Sequence, residues 1–197
     1  KYNSIVFSIK KDLFRQLYVD VKNLLDACMA SSLKRVYFFN KSHLPSFIIH
    51  INDLVEEKNG NIDDFLEDDI LTATFQVKEK DLNVFKRKIL KDEYKSLSFF
   101  SWGIYEGIAT FEVSLNIATK GHALKYLAKI FDIPEENTIA FGDAENDLSM
   151  LNDANEGVFM CNSKDSVIHL GKHFTYKISD EDGVVDYLEK MHPELWK

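Results

Sequence analysis

Cysteine is scarce in this chain: Cys28 and Cys161 are the only two in 197 residues. Both stand in apolar contexts without ligand spacing, which points to core thiols in a reducing compartment and to a cytoplasmic location. Long apolar runs are missing too; none approaches the roughly 20 residues of a membrane span. The opening 1-KYNSIVFSIKKDLF-14 is too short and too charged for the apolar core of a signal peptide. Basic residues are outnumbered, 24 Lys and Arg against 32 Asp and Glu, for a net charge of -8. A diffuse acidic surface disfavours nucleic acid and anionic membrane as partners. Small phosphorylated substrates stay open, because they need only a local positive spot. His122, His169 and His173 lack metal spacing and are expected at the surface or in structural roles. There is no internal repeat. The first residue is Lys rather than Met, so the chain is expected to be processed, trimmed or part of something longer.

The composition, 45% apolar and 28% charged, is that of an ordinary globular protein, and the length suits one domain with a smaller companion. The C-terminal part alternates short apolar strands with helices. Residues 121–131 place Leu124, Leu127, Ala128 and Phe131 on one helical face. Strands are predicted at 138–141, 157–161 and 173–178. Helices are predicted at 145–152 (Leu148 and Leu151 inward), 164–171 and 182–191, the last with Val184, Val185, Leu188 and Met191 on one side. Such alternation implies right-handed crossovers and a parallel sheet buried on both faces.

Residues 1 to about 116 read differently. Strands at 70–77 and 108–115, rich in Thr, Val and Phe, flank a helix at 79–90 that lines up Leu82, Phe85 and Ile89. Upstream, a strand at 4–9, a helix at 12–28 and a strand at 34–39 complete an α+β module. The acidic tract 56–69 is expected to be a solvated turn and helix start. The boundary falls near 116–120, giving an α+β domain at 1–116 and a Rossmann-like α/β portion at 117–197.

The chemistry concentrates in 138-TIAFGDAENDLSML-151. In open α/β sheets ligands bind outside the carboxyl ends of the strands. Asp143 falls at that edge, after the 138–141 strand, with Gly142 permitting a tight turn. An aspartate there suits Mg²⁺, which takes hard oxygen ligands and keeps several waters. Asn146 and Asp147 follow on the first turn of a helix whose amides favour an anion. Lys120 precedes Gly121 at another helix start, one helix and one strand before Asp143. A right-handed unit brings that cation and that carboxylate to the same sheet edge, which is what phosphoryl transfer requires.

Residues 119-TKGHAL-124, 140-AFGDAENDLSML-151, 154-ANEGVFMCNS-163 and 182-DGVV-185 closely resemble the C-terminal signatures of haloacid dehalogenase-like phosphatases of the Cof-type branch. The resemblance runs in order from 108 to 191. It implies a Mg²⁺-dependent phosphatase that forms an aspartyl-phosphate. By the same resemblance, Lys120 steadies the phosphoryl group, Asp143 ligates Mg²⁺, Asp147 orients Lys120 or supports the metal, and Asn146 contacts the phosphate region.

The family's nucleophile sits in an N-terminal DxDGT-type motif, and no DxD followed by Gly-Thr occurs here. In one reading, residues 4–13 are that strand with its acids replaced. Ser8 and Lys10 then occupy the nucleophile and acid/base positions, and Asn40 occupies the Thr/Ser position. That protein is a catalytically silent phosphate-binding or interaction module, for want of an attacking carboxylate. In the other, residues 1–116 are the family's cap and the nucleophile-bearing half of the core lies outside this chain. The continuous α+β pattern fits the second reading better. The doubly apolar 138–141 strand presses the same point, since an unpaired parallel edge invites pairing with the missing half or with another chain.

Overall fold

The computed structural model describes residues 6–41, 56–62 and 66–196. They divide into two compact units, Lys1–Ile117 and Ala118–Lys197.

The first unit is a six-stranded sheet with helices on one face. In chain order it runs α1 (Lys11–Val21), β1 (Leu25–Ser31), β2 (Arg35–Lys41), β3 (Glu56–Asn59), β4 (Thr72–Lys78), α2 (Leu82–Ile89), β5 (Leu97–Tyr105) and β6 (Ile108–Leu115). The strand order is β3-β2-β1-β4-β6-β5. Every pairing is antiparallel except β2 with β3. Helix α1 buries Phe14, Leu17 and Val21, spaced i, i+3, i+7, and α2 buries Phe85 and Ile89. These meet Cys28, Ala30, Phe75, Val77, Phe111 and Val113 from the sheet in one apolar core. Phe85 packs its ring against Phe75, Phe99 and Phe111 at centroid distances of 6.3, 6.5 and 5.0 Å. Asp68 ties the β1–β2 turn down, accepting hydrogen bonds from Ser32 Oγ at 3.0 Å, Arg35 at 2.9 Å and Tyr37 Oη at 2.7 Å.

Several elements depart from the sequence reading. The predicted 12–28 helix stops at Val21, and Leu25–Ser31 is a central strand between β2 and β4. Leu, Ala and Met favour helix locally, but the ladder buries Cys28 between Phe39 and Phe75, and tertiary pairing wins. Part of the acidic tract, Glu56–Asn59, is a strand rather than a turn, because it pairs in parallel with β2. Strand β5 has no counterpart in the sequence reading; Gly103, at φ 101°, marks a bulge that breaks its alternation. Of the expected 4–9 strand, Ile9 makes a single antiparallel bridge with Ile70, and residues 1–5 lie outside the described residues.

The second unit carries α3 (Lys120–Ile130), β7 (Ile139–Gly142), α4 (Leu148–Asp153), β8 (Glu156–Phe159), α5 (Asp165–Ile168), β9 (His173–Phe174) and α6 (Gly183–Met191). Its sheet is parallel, in the order β7-β8-β9. The core is small: Ala140, Leu151, Phe159 and Val167, with Leu148, Met150 and Ala154 packed on it. Strand β9 is shorter than predicted. Thr175 closes the ladder, its amide donating to the Phe159 carbonyl at 2.9 Å, and its hydroxyl accepts from the Cys161 amide and donates to the Lys177 carbonyl. Helix α5 keeps only four residues of the predicted 164–171. Cys28 is buried as expected, with its thiol pKa pushed well up by desolvation, but Cys161 is exposed on the turn after β8.

The apolar face predicted on α3 is divided: Leu124 and Ala128 are half-buried, whereas Leu127 and Phe131 are 50% and 63% exposed. On α6 the buried positions are Gly183 and Tyr187, not the predicted stripe, and Val185 and Met191 are exposed. Tyr187 is drawn in because its ring meets Phe141 edge-on and its hydroxyl donates to Glu156 at 2.7 Å. Among the described strands β7 has one neighbour. The Thr138 and Gly142 carbonyls accept from Glu156 and Met160 amides of the β8 side. The alternate residues Ile139 and Phe141 therefore direct their backbone groups to the open edge.

Candidate active site

The carboxyl end of β7 carries the site. Gly142 closes the strand without a positive φ, so its role is not the tight turn expected of it. A Cβ at 142 would stand 2.4 Å from the Asp147 Cβ. The glycine is there to let Asp147 fold back against the strand end. Asp147 ends the 3-10 turn Glu145–Asp147 and is only 4% exposed. One carboxylate oxygen accepts from Lys120 Nζ. The other accepts from the backbone amides of Asp143 at 3.0 Å and Ala144 at 3.2 Å. Burial pushes this carboxyl up, but the Lys120 hydrogen bond and the two amides outweigh it, and the net pKa is lowered. The Asp143 and Ala144 amides, in the turn just before the helix start that the sequence reading offered to an anion, are spent on Asp147.

Lys120 is the first residue of α3. Thr119 caps the helix, its hydroxyl accepting from the His122 amide at 3.1 Å. The Gly121 amide donates to Ser149 Oγ at 3.1 Å, and a Cβ at 121 would lie 2.5 Å from the Ser149 carbonyl. Close approach of α3 to α4 is thus built into Lys120-Gly121. The lysine is half-exposed, and of its three N–H donors one is committed to Asp147.

Asp143 is exposed, and its carboxylate takes no hydrogen bond or ion pair among the described residues. Its backbone is fixed at both ends, the amide by Asp147 and the carbonyl by the Lys164 amide at 2.9 Å. Lys120, Asp143 and Asp147 line one open pocket of 380 Å³ together with Phe141, Met160 and Asp182. Asn146, the remaining sequence candidate, is exposed and does not line it. The sequence reading missed Asp182, Ser179 and Met160 as lining residues. Asp182 sits in the left-handed region at φ 57°, immediately before Gly183; its place in the quoted DGVV stretch was the available signal.

A divalent metal fits this donor set in a limited way. Among the described residues no three His, Cys, Asp or Glu side chains converge on one point. Among the described carboxylates lining this pocket, Asp147 is engaged, while Asp143 and Asp182 keep their oxygens uncommitted; Asp143, at the strand end, suits an ion that keeps most of its waters. Among the described residues no helix is long and apolar enough to cross a membrane.

Against known proteins, the family described as haloacid dehalogenase-like hydrolase matches residues 4–188. The chain is similar to the phosphatase YwpJ of Bacillus subtilis, 42% identical over 81 residues, covering 41% of this chain and 28% of that protein. It is 26% identical over 188 residues to the 5-amino-6-(5-phospho-D-ribitylamino)uracil phosphatase YitU of Bacillus subtilis, covering 93% of this chain and 67% of that one. In fold it resembles the crystal structure of a haloacid dehalogenase-like hydrolase from Bacteroides thetaiotaomicron, with TM-score 0.71 and 20% identity over 94% of this chain and 68% of the other. The chain therefore spans from under a third to about two-thirds of the relatives it matches.

Proposed function

The chain belongs to the haloacid dehalogenase-like hydrolases, and from that premise we propose that it is part of a cytoplasmic, Mg²⁺-dependent phosphatase of the Cof type acting on small phosphorylated metabolites. Residues 1–116 are the cap and 117–197 the C-terminal part of the core. The observation that carries this is the joint lining of one pocket by a cation fixed on a buried carboxylate and by an uncommitted carboxylate at a strand end.

Lys120 keeps two N–H donors for phosphoryl oxygens, and Asp147 holds its ammonium in place. Asp147 acts through Lys120 and is not itself offered to a metal, since both its oxygens are engaged. Asp143 would hold Mg²⁺. When bound, the ion supplies charge compensation at the transferring phosphoryl group. Asn146, which does not line the pocket, contacts the phosphate region only if substrate extends beyond it.

Among the described residues no carboxylate other than Asp143 follows β7 at its carboxyl end with its oxygens uncommitted, and the chain has no DxDGT. We take the attacking aspartate to come from a core half outside these residues, pairing on the open β7 edge. A second copy meeting that edge is the competing partner. The alternative, a catalytically silent phosphate-binding protein, shares the same pocket.

The test is p-nitrophenyl phosphate hydrolysis. The 197-residue chain alone is expected to turn over no faster than its Lys120→Ala variant. Supplying a DxDGT-bearing half should give Mg²⁺-dependent activity that Lys120→Ala lowers about 10²–10³-fold. Robust turnover by the isolated chain, abolished by Asp143→Ala, would place the nucleophile within these residues and overturn the reading. Binding of phosphate without any turnover in the complemented protein would favour the silent alternative.

A further inference from the structure

Asp182 is an aspartate whose carboxylate has no structural duty among the described residues. It stands at the N-cap position of α6, where an aspartate ordinarily accepts from the first amides of the helix, yet its side chain makes no cap bond. It is exposed and takes no ion pair. Lys177 and Lys190, two cations close to it in the chain, bond Asp186 instead, at 3.2 and 2.9 Å. Its backbone lies in the left-handed region at φ 57°, which glycine enters more cheaply than a residue with a side chain. The surrounding turn holds it there. The Gly183 amide donates to the Ile178 carbonyl at 3.1 Å, and the Asp182 carbonyl accepts from the Asp186 amide at 2.9 Å. A Cβ at 183 would lie 2.1 Å from the Lys177 carbonyl oxygen. An aspartate thus occupies a position that suits glycine, without capping and without a partner. What it does share is the pocket lined by Lys120, Asp143 and Asp147.

The charges of that pocket do not balance, since one ammonium faces three carboxylates. Lys120 and Asp147 neutralise each other, which leaves Asp143 and Asp182 uncompensated. A phosphate monoester carries between one and two negative charges near neutral pH. Like charges in one pocket repel it, and screening takes about 8 Å to act at physiological ionic strength. A divalent cation carries the charge that the two carboxylates call for, and it inverts the local electrostatics when bound. With Asp143 alone uncompensated, much of the barrier to metal-free phosphate would be gone.

We propose that Asp182 determines the specificity of this pocket: it strengthens the hold on the divalent cation and keeps phosphate out while that cation is absent. The inference rests on the phosphatase reading of the pocket and adds to it a residue that acts on both ligands with opposite sign.

The test compares the 197-residue chain with its Asp182→Asn variant. Mg²⁺ binding is followed by calorimetry. Binding of inorganic phosphate is followed by amide chemical shifts, in EDTA and again with Mg²⁺ in excess, at constant ionic strength. Asparagine keeps the shape and tolerates the left-handed backbone. Mg²⁺ should raise the phosphate affinity of the wild type. Asp182→Asn should bind Mg²⁺ about threefold more weakly and metal-free phosphate about threefold more tightly, the effect of one exposed charge a few ångströms away in water. Asp182→Gly, which suits the backbone, should do the same. A merely structural role would lower both affinities or leave both alone. Unchanged Mg²⁺ affinity in both variants, metal-free phosphate affinity no higher than wild type, or no gain in wild-type phosphate affinity from Mg²⁺ would each overturn the proposal. Failure of the phosphatase reading looks different. In that case Asp143→Ala leaves Mg²⁺ affinity unchanged, whereas failure of this inference alone leaves Asp143→Ala weakened and Asp182→Asn like the wild type.

Discussion

Replacing Asp147 by asparagine tests the centre of the site without changing its shape. The side chain is nearly sealed, and its charged form accepts three hydrogen bonds, from Lys120 and from the amides of Asp143 and Ala144. Lys120 is half-exposed, so its share is screened and is discounted accordingly. The two amide bonds to a buried carboxylate dominate. Losing their charge assistance costs about 2 kcal/mol by the usual worth of hydrogen bonds to charged acceptors. Because folding lowers the pKa of Asp147, the stabilisation is fully present above the unfolded carboxylate value, near 4. It is lost as pH falls through the lower folded value. Urea unfolding followed by circular dichroism at pH 7 and again below pH 3 measures this. The wild type should exceed Asp147→Asn by about 2 kcal/mol at pH 7 and converge with it in acid. Equal stabilities at pH 7, or a difference that persists undiminished in acid, would refute the reasoning.

Asp143→Asn should leave stability at pH 7 within about 0.5 kcal/mol, as an exposed carboxylate without partners among the described residues contributes little; a larger drop would reveal a partner. Calorimetry with Mg²⁺ should show binding weakened in Asp143→Ala, and equal affinities would reject its assignment as the metal ligand. Gly142→Ala should destabilise the second unit by about 2 kcal/mol or more, since the added carbon meets Asp147 Cβ at 2.4 Å; a melting curve identical to wild type would exclude the close approach. Phe85→Ala should cost about 3–5 kcal/mol in the first unit by emptying the centre of its aromatic cluster. Its Mg²⁺ affinity should stay at the wild-type value.

Strongly periodic segments are legible in the sequence itself. The helices at 82–89, 120–130 and 183–191 and the strands at 72–78, 108–115 and 139–142 lie where apolar spacing puts them. Lys120, Asp143 and Asp147 are legible for a different reason: strand-end and helix-start chemistry is local, and a parallel crossover returns successive elements to one edge. Tertiary structure alone decided whatever is set by a neighbour distant in the chain. Leu25–Ser31 has the residues of a helix and becomes a central strand because β2 and β4 flank it. The outward turn of Leu127 and Phe131 likewise follows from which elements surround α3, not from their spacing. The role of Gly142 belongs to the same class, since periodicity cannot report that Asp147 Cβ comes back to 2.4 Å from where a Cβ at 142 would stand. Local pattern determines which residues share a face. Which faces are covered, and which carboxylate spends its oxygens on its own backbone, is settled by packing between elements.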